Sequence, residues 1–292
     1  MIKILLILVV LFGFSACQSA GLYLANLPND TAAFEVRNNV KYGKKPWQKL
    51  DIYLPKSQHK KTPVMIFYYG GSWVKGSKEE YAFVANRFVQ HGYIVVIPDY
   101  VKYPDAVYPA FVKDAAKVTH WLDQNIETIG GDREQIHLIG HSAGAHIGAM
   151  LIANEYFLAK YDLKPSFYRS FIGISGPYSF TPETDRYRAI FGPKEKDPMM
   201  QADRYINGNE PPMLLLHGNL DFLVNTSNME KLATAVTDKG GVVKTISYSG
   251  LGHLSIIGSF SNSFPFGDAV ARDMISFMEE AKQPLSTTHS MR

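Results

Sequence analysis

The chain has 292 residues, 46% of them hydrophobic, which suits one large folded domain with a sizeable core. Its 30 Lys and Arg against 27 Asp and Glu leave a net charge of +3, and the basic residues are scattered, so it lacks the footprint of a nucleic-acid-binding surface. The single cysteine, Cys17, excludes an internal disulfide framework and a cysteine-based zinc site.

The start, MIKILLILVVLFGFSACQSA, places Lys3 before an apolar run from Ile4 to Phe14 and closes on small residues, the layout of a secretory signal. The run is too short to span a bilayer, which takes about 20 apolar residues. FSAC, Phe14 to Cys17, resembles the lipobox of bacterial lipoproteins, with Phe14 where leucine is usual. That resemblance implies a diacylated Cys17 as the mature N-terminus. The alternative is an ordinary cleaved signal and a secreted or periplasmic protein without an anchor. A cut after Ala16 or Ala20, however, would put Phe14 or Gln18 where a small residue is wanted. The expected layout is a signal peptide over 1–16, a tether over 17–30 lipid-anchored to a membrane through Cys17, a folded domain over 31–285 and a tail over 286–292.

Strands and helices alternate through the rest. QKLDIYLP carries Leu50, Ile52 and Leu54 in period two, a strand closed by Pro55. PVMIFYY reads as a strand covered on both faces. Ser77 followed by Glu80 is a capping-box pattern that predicts a helix to about His91. Then come the strand YIVVIP, a helix from about Val107 to Glu127, the strand IHLIG, a helix from Ala143 to about Tyr156, and the strand SFIGIS. An irregular region over 176–211 follows, with room for a small cap. MLLLH, a helix near Asn225 to Lys239, VKTISYS and a helix from about Phe266 to Ala281 close the series. This alternation predicts an α/β fold with a mostly parallel central sheet and helices on both faces, in which ligands bind beyond the carboxyl ends of the strands.

Residues able to do chemistry fall at those ends. Ser142 stands in GHSAG between the strand IHLIG and the helix at Ala143, the setting of a nucleophile elbow, where a helix N-terminus offers unpaired N–H groups to an oxyanion. A serine hydroxyl needs a base to take its proton and a third group to orient that base. His253 follows VKTISYS, and Asp221 follows MLLLH. Asp99, after YIVVIP, competes for the carboxylate role; its bland alternative is a loop-fixing acid. His141 is too close in sequence to reach back to Ser142 and is expected to line the substrate pocket or pack. His217 is expected to be structural. Gly70 and Gly71, in FYYGGSW, allow a sharp turn and close approach where acyl transfer needs N–H donors.

From about Leu50 to His253 the chain resembles the α/β-hydrolase superfamily, and within it the carboxylesterase and kynurenine-formamidase-like branch. The matching segments are YGGSW (69–73), PDYVKYP (98–104), GGD (130–132), GHSAG (140–144), HGNLD (217–221) and GLGH (250–253). The resemblance implies an α/β-hydrolase fold, Ser142 as nucleophile, His253 as base, Asp221 as its orienter, and an oxyanion hole from the N–H groups of Gly70 or Gly71 and Ala143. Tyr69 replaces the His that braces the oxyanion loop in the family, and Val101 replaces an Arg. Trp73 is a candidate for the pocket wall, with core packing as the alternative.

The expected function is a serine carboxylesterase acting on short-chain or aryl esters through an acyl-enzyme, held in the bacterial cell envelope. Two alternatives are an arylformamidase with the same triad and a non-enzymatic envelope lipoprotein on a hydrolase fold. The partners expected are a small-molecule ester and, through Cys17, a membrane, with no nucleic acid. No metal cluster or cofactor motif occurs in the sequence, so no cofactor or metal is expected.

Overall fold

The apolar runs that read as doubly covered strands lie side by side. A computed structural model of the chain describes residues 21–27, 34–57 and 61–281. Its eight strands are β1 (Phe34–Lys41), β2 (Lys49–Pro55), β3 (Thr62–Tyr68), β4 (Ile94–Pro98), β5 (Gly131–His141), β6 (Ser170–Ile174), β7 (Met213–Gly218) and β8 (Val243–Tyr248). They form one sheet in the order β1-β2-β4-β3-β5-β6-β7-β8. β2 runs antiparallel to both its neighbours, and every pair from β4 to β8 is parallel. The strands β4, β6 and β7 are buried at every position, as a sheet with helices on both faces requires. β1 and β8 are edge strands with alternating exposure.

The connecting helices are α1 (Ala82–Val89), α2 (Ala110–Asn125), α3 (Ala143–Ala153), the short α4 (Tyr156–Ala159), α5 (Asp185–Phe191), α6 (Ser227–Asp238), α7 (His253–Gly258) and α8 (Ala269–Glu280). All eleven residues of α3 are buried. Such burial needs small residues where the helix meets the sheet. A Cβ on Gly144 would lie 2.0 Å from the carbonyl oxygen of Tyr68 on β3, and one on Gly140 would lie 2.4 Å from that of Gly144. The two glycines flanking Ser142 are therefore contact points between β3, β5 and α3.

Two local expectations give way to tertiary structure. The expected capping box at Ser77 does not form: Ser77 makes no side-chain cap bond, the chain enters through a 3-10 turn over Lys78–Tyr81, and Asp99 Oδ1 accepts the Lys78 N–H instead, at 3.1 Å. The helix expected from Ala143 to about Tyr156 ends at Ala153 and restarts as α4. The region 176–211 holds α5 and two 3-10 turns, Lys194–Met200 and Ala202–Tyr205.

The expected signal over 1–16, Cys17 and the tail over 286–292 lie outside the described residues. Of the expected tether, residues 21–26 are helical and lie against the domain: Ala25 is buried, its carbonyl accepts from Ser261 Oγ at 2.7 Å, and Asn26 Nδ2 donates to the Glu80 carbonyl at 2.8 Å. Among the described residues no helix is long and apolar enough to cross a membrane.

Candidate active site

Ser142 occupies the step from the end of β5 to the start of α3. Its backbone, at φ 54° and ψ −121°, lies in a region that non-glycine residues rarely enter, and is held there because strand, turn and helix are all fixed by buried neighbours. The Ser142 N–H donates to the Ile174 carbonyl at 2.9 Å, tying the elbow to β6. The serine side chain is thus presented at the carboxyl end of the sheet.

His253 and Asp221 arrive from the other side. His253 Nε2 lies 2.9 Å from Ser142 Oγ, and His253 Nδ1 lies 2.8 Å from Asp221 Oδ2. Asp221 follows β7, and its Oδ1 accepts the N–H groups of Leu223 and Val224, each at 2.9 Å. Burial alone would raise the Asp221 carboxyl, but the hydrogen bond and charge of His253 and these two N–H groups outweigh it and bring its pKa down to about 2. An ionised carboxylate only accepts, so the imidazole proton sits on Nδ1, and Nε2 presents its lone pair to the serine hydroxyl.

The loop after β3 runs beside the serine. A Cβ on Gly70 would be 3.0 Å from Ser142 Cβ and 3.1 Å from His141 Nδ1, so Gly70 serves close approach. Gly71 serves the turn: its φ is 127°, and a Cβ there would lie 2.1 Å from the Lys75 carbonyl oxygen. Ser72 and Trp73 follow with φ of 52° and 59°. Three successive residues at positive φ make a strained loop, and the strain is held by a brace. Tyr69, in place of the family histidine, stacks between Tyr81 and Tyr100, and its hydroxyl donates to Asp99 Oδ1 at 2.5 Å. Lys102 Nζ donates to the Tyr69 hydroxyl at 2.8 Å, so a cation stands one residue beyond Val101. Asp99 is the loop-fixing acid, and Asp221 is the carboxylate on the histidine. Opposite this loop, the Ala143 N–H opens α3, where N–H groups have no intrahelical acceptor.

His141 is a correction. It does not line the pocket but lies buried under His253, rings 4.9 Å apart, with Nε2 donating to the His253 carbonyl at 3.0 Å. Burial, with the nearby His253 adding to it, pushes its pKa down to about 3, so it is a neutral prop for the catalytic loop. The side chain alternates inward at the end of a buried strand, which is why it packs. His217, at the end of β7, is buried as expected of a structural residue.

A pocket of about 180 Å³ opens over Ser142 and His253. Trp73 lines it, as do Phe180 and Tyr187 from the irregular region and Leu223, Val224 and Asn228 beyond Asp221. Trp73 stacks on Phe180 at 5.6 Å and meets Phe191 edge-on at 4.7 Å. His146 on α3 completes this cluster, its Nε2 donating to the Met200 carbonyl at 2.8 Å and its pKa pushed by burial down to about 4. The walls from 176–211 carry no periodicity, and no signal in the sequence marked Phe180 or Tyr187. Ser72, beside Trp73 in YGGSW, is also in the wall. Among the described residues no group of three or more His, Cys, Asp and Glu side chains is arranged to hold a metal ion.

The BD-FAE family profile matches residues 50–165, and the serine hydrolase (FSH1) profile matches 114–254. Among solved structures, esterase B from Lactobacillus rhamnosis superposes with a TM-score of 0.80 at 15% identity, over 96% of this chain and 95% of that one. With the eight-stranded, mostly parallel sheet, this likeness shows an α/β-hydrolase fold. A probable isoprenylcysteine alpha-carbonyl methylesterase of Oryza sativa is 30% identical over 243 residues, 76% of this chain and 59% of that protein. The kynurenine formamidase of Danio rerio is 34% identical over 149 residues, 51% of this chain and 48% of that protein. The chain therefore spans between about half and three-fifths of the length of those two relatives.

Proposed function

We propose that the protein is a serine carboxylesterase that hydrolyses small carboxylic esters through an acyl-enzyme on Ser142. The observation that carries the reading is the unbroken chain of hydrogen bonds from Ser142 Oγ through His253 to an ionised Asp221. His253 Nε2 takes the hydroxyl proton as Oγ attacks the ester carbonyl. The N–H groups of Ala143 and of Gly70 or Gly71 receive the developing oxyanion. The imidazolium then gives its proton to the leaving alcohol, and a water attacks the acyl-enzyme by the same route in reverse. The pocket favours short or aryl acyl groups, since it is small and walled by Trp73, Phe180 and Tyr187. The names of the rice methylesterase and the Lactobacillus esterase agree with ester hydrolysis.

A formamidase reading with the same residues is favoured by the 34% identity to the zebrafish enzyme. Parallel assays on p-nitrophenyl acetate and N-formylkynurenine separate the two. Ser142→Ala should abolish hydrolysis of the preferred substrate and labelling by a fluorophosphonate while leaving the thermal melt intact. Residual activity of the folded variant near the wild-type rate would end the assignment, and absence of labelling of the wild type would leave a binding protein on a hydrolase fold. The proposal includes a lipid anchor at Cys17 in the bacterial envelope. It is supported by the FSAC sequence after an apolar run, and tested by the mass of the mature N-terminal peptide.

A further inference from the structure

The mouth of the site is rimmed by exposed apolar side chains. In the loop carrying Asp221, Leu220, Phe222 and Leu223 are 50%, 90% and 68% exposed. Leu254, next to His253, is 40% exposed. These belong to one face: the Leu220 N–H donates to the Leu251 carbonyl at 2.8 Å, and a Cβ on Gly252 would lie 3.8 Å from Leu220 Cβ. Leu254 in turn lines an apolar cleft of about 260 Å³, together with Gly21, Leu22, Phe264 and Phe266. Beyond the cleft, Ser263 Oγ donates to the Leu24 carbonyl at 2.8 Å, and Tyr23, Leu24 and Leu27 are again exposed. An apolar strip therefore runs from the rim of the active site to residue 21.

A strip of this extent on a water-soluble surface marks an interaction site. Its lower end says what covers it. Gly21, the first described residue, lies in the cleft, and Cys17 is four residues before it, within about 14 Å along even a fully extended chain. A lipid on Cys17 would hold the strip within that distance of the bilayer.

We infer that this face lies on the membrane surface and turns the mouth of the active site toward the lipid, so that the enzyme takes ester substrates that partition into the bilayer. The inference rests on the proposed anchor and on the esterase reading. Leu220, Phe222 and Leu254 sit in the interfacial region in the manner of amphipathic anchors, and an apolar ester reaches Ser142 from the membrane side without crossing bulk water.

The test exploits the absence of other cysteines. Mature full-length chains carrying Phe222→Cys or Glu134→Cys are labelled with an environment-sensitive fluorophore and placed on vesicles of phosphatidylethanolamine and phosphatidylglycerol. Glu134 is exposed at the opposite, N-terminal end of β5. The label at 222 should shift to the blue and be quenched severalfold by brominated lipid, while the label at 134 should do neither. Equal behaviour of the two labels overturns the inference. So does a blue shift at 222 without vesicles accompanied by a doubled mass in light scattering, which would give the face to a second copy. The N-terminal mass is read first: if Cys17 carries no lipid, the anchor fails by itself. The same labels, with Cys17→Ser added so that only the introduced thiol reacts and with vesicles added to the untethered protein, then decide the face, and loss of the blue shift at 222 there overturns it. Turnover of p-nitrophenyl acetate by the same samples reports the esterase reading separately.

Discussion

Replacing Asp221 by asparagine should remove catalysis without removing the fold. The carboxylate has two oxygens with different duties: Oδ1 accepts two backbone N–H groups and Oδ2 accepts the imidazole proton. In Asp221→Asn the amide can place only its oxygen against Leu223 and Val224, because its NH₂ would face two donors. The NH₂ therefore faces His253 Nδ1. That nitrogen must become the acceptor, the proton moves to Nε2, and the lone pair that takes the Ser142 proton is gone. Loss of the correct tautomer with intact geometry costs about 10⁴ in kcat, or about 5.5 kcal/mol of transition-state stabilisation. The assay is hydrolysis of p-nitrophenyl acetate, normalised to folded protein by circular dichroism, with the thermal melt measured alongside. The melt should move little, since both backbone bonds survive. A folded variant that retains more than roughly a tenth of the wild-type kcat would refute the tautomer argument.

Gly144→Ala should cost about 3 kcal/mol or prevent soluble expression, because its Cβ would meet the Tyr68 backbone carbonyl at 2.0 Å, and neither the rigid Cβ nor a strand carbonyl can move aside; urea unfolding measures it. Tyr69→Phe should lower stability by about 1 kcal/mol by taking a donor from the half-buried Asp99, and should lower kcat more than it raises KM through the loop at Gly70 and Gly71; an unchanged kcat would show that the brace is dispensable. Stability should fall with pH from about 6.5 downwards. His141 and His146 are held neutral in the fold, with values of about 3 and about 4 against the ordinary 6.5, so below 6.5 the unfolded chain binds protons that the folded chain refuses. Each contributes a slope of about 1.4 kcal/mol per pH unit well inside that window, and His146→Gln should reduce the slope by that amount in urea titrations.

The buried strands and the triad residues that follow them were legible for a physical reason. Parallel strands buried on both faces must be apolar throughout, so IVVIP and MLLLHG stand out, and the residues just after them are the ones the sheet presents. β1 escaped because FEVRNNVK pairs on one side only and carries mostly polar residues. The capping box at Ser77 failed because the Glu80 N–H donates to the Ser77 backbone carbonyl in a 3-10 turn, while Asp99, remote in sequence, takes the Lys78 N–H, and no local pattern announces such a partner. The inward turn of His141 and the inclusion of Phe180 and Tyr187 in the pocket are decided by packing between distant segments. The substitution of Tyr69 for histidine was visible, but its meaning depended on Lys102 and Asp99 closing around its hydroxyl.

The complete burial of α3 sets the timescale on which the nucleophile can be lost. Ser142 is the N-cap of a helix with no residue at the surface, locked by glycines against β3 and β5. Such a helix cannot fray by itself, since any opening exposes the centre of the domain. Its amides should exchange with solvent deuterium only through whole-molecule unfolding, whereas the loops bearing Asp221 and Gly71 should exchange earlier. On warming, activity should then fade before the melt begins, through the loss of the groups that serve the serine rather than of the serine's own position.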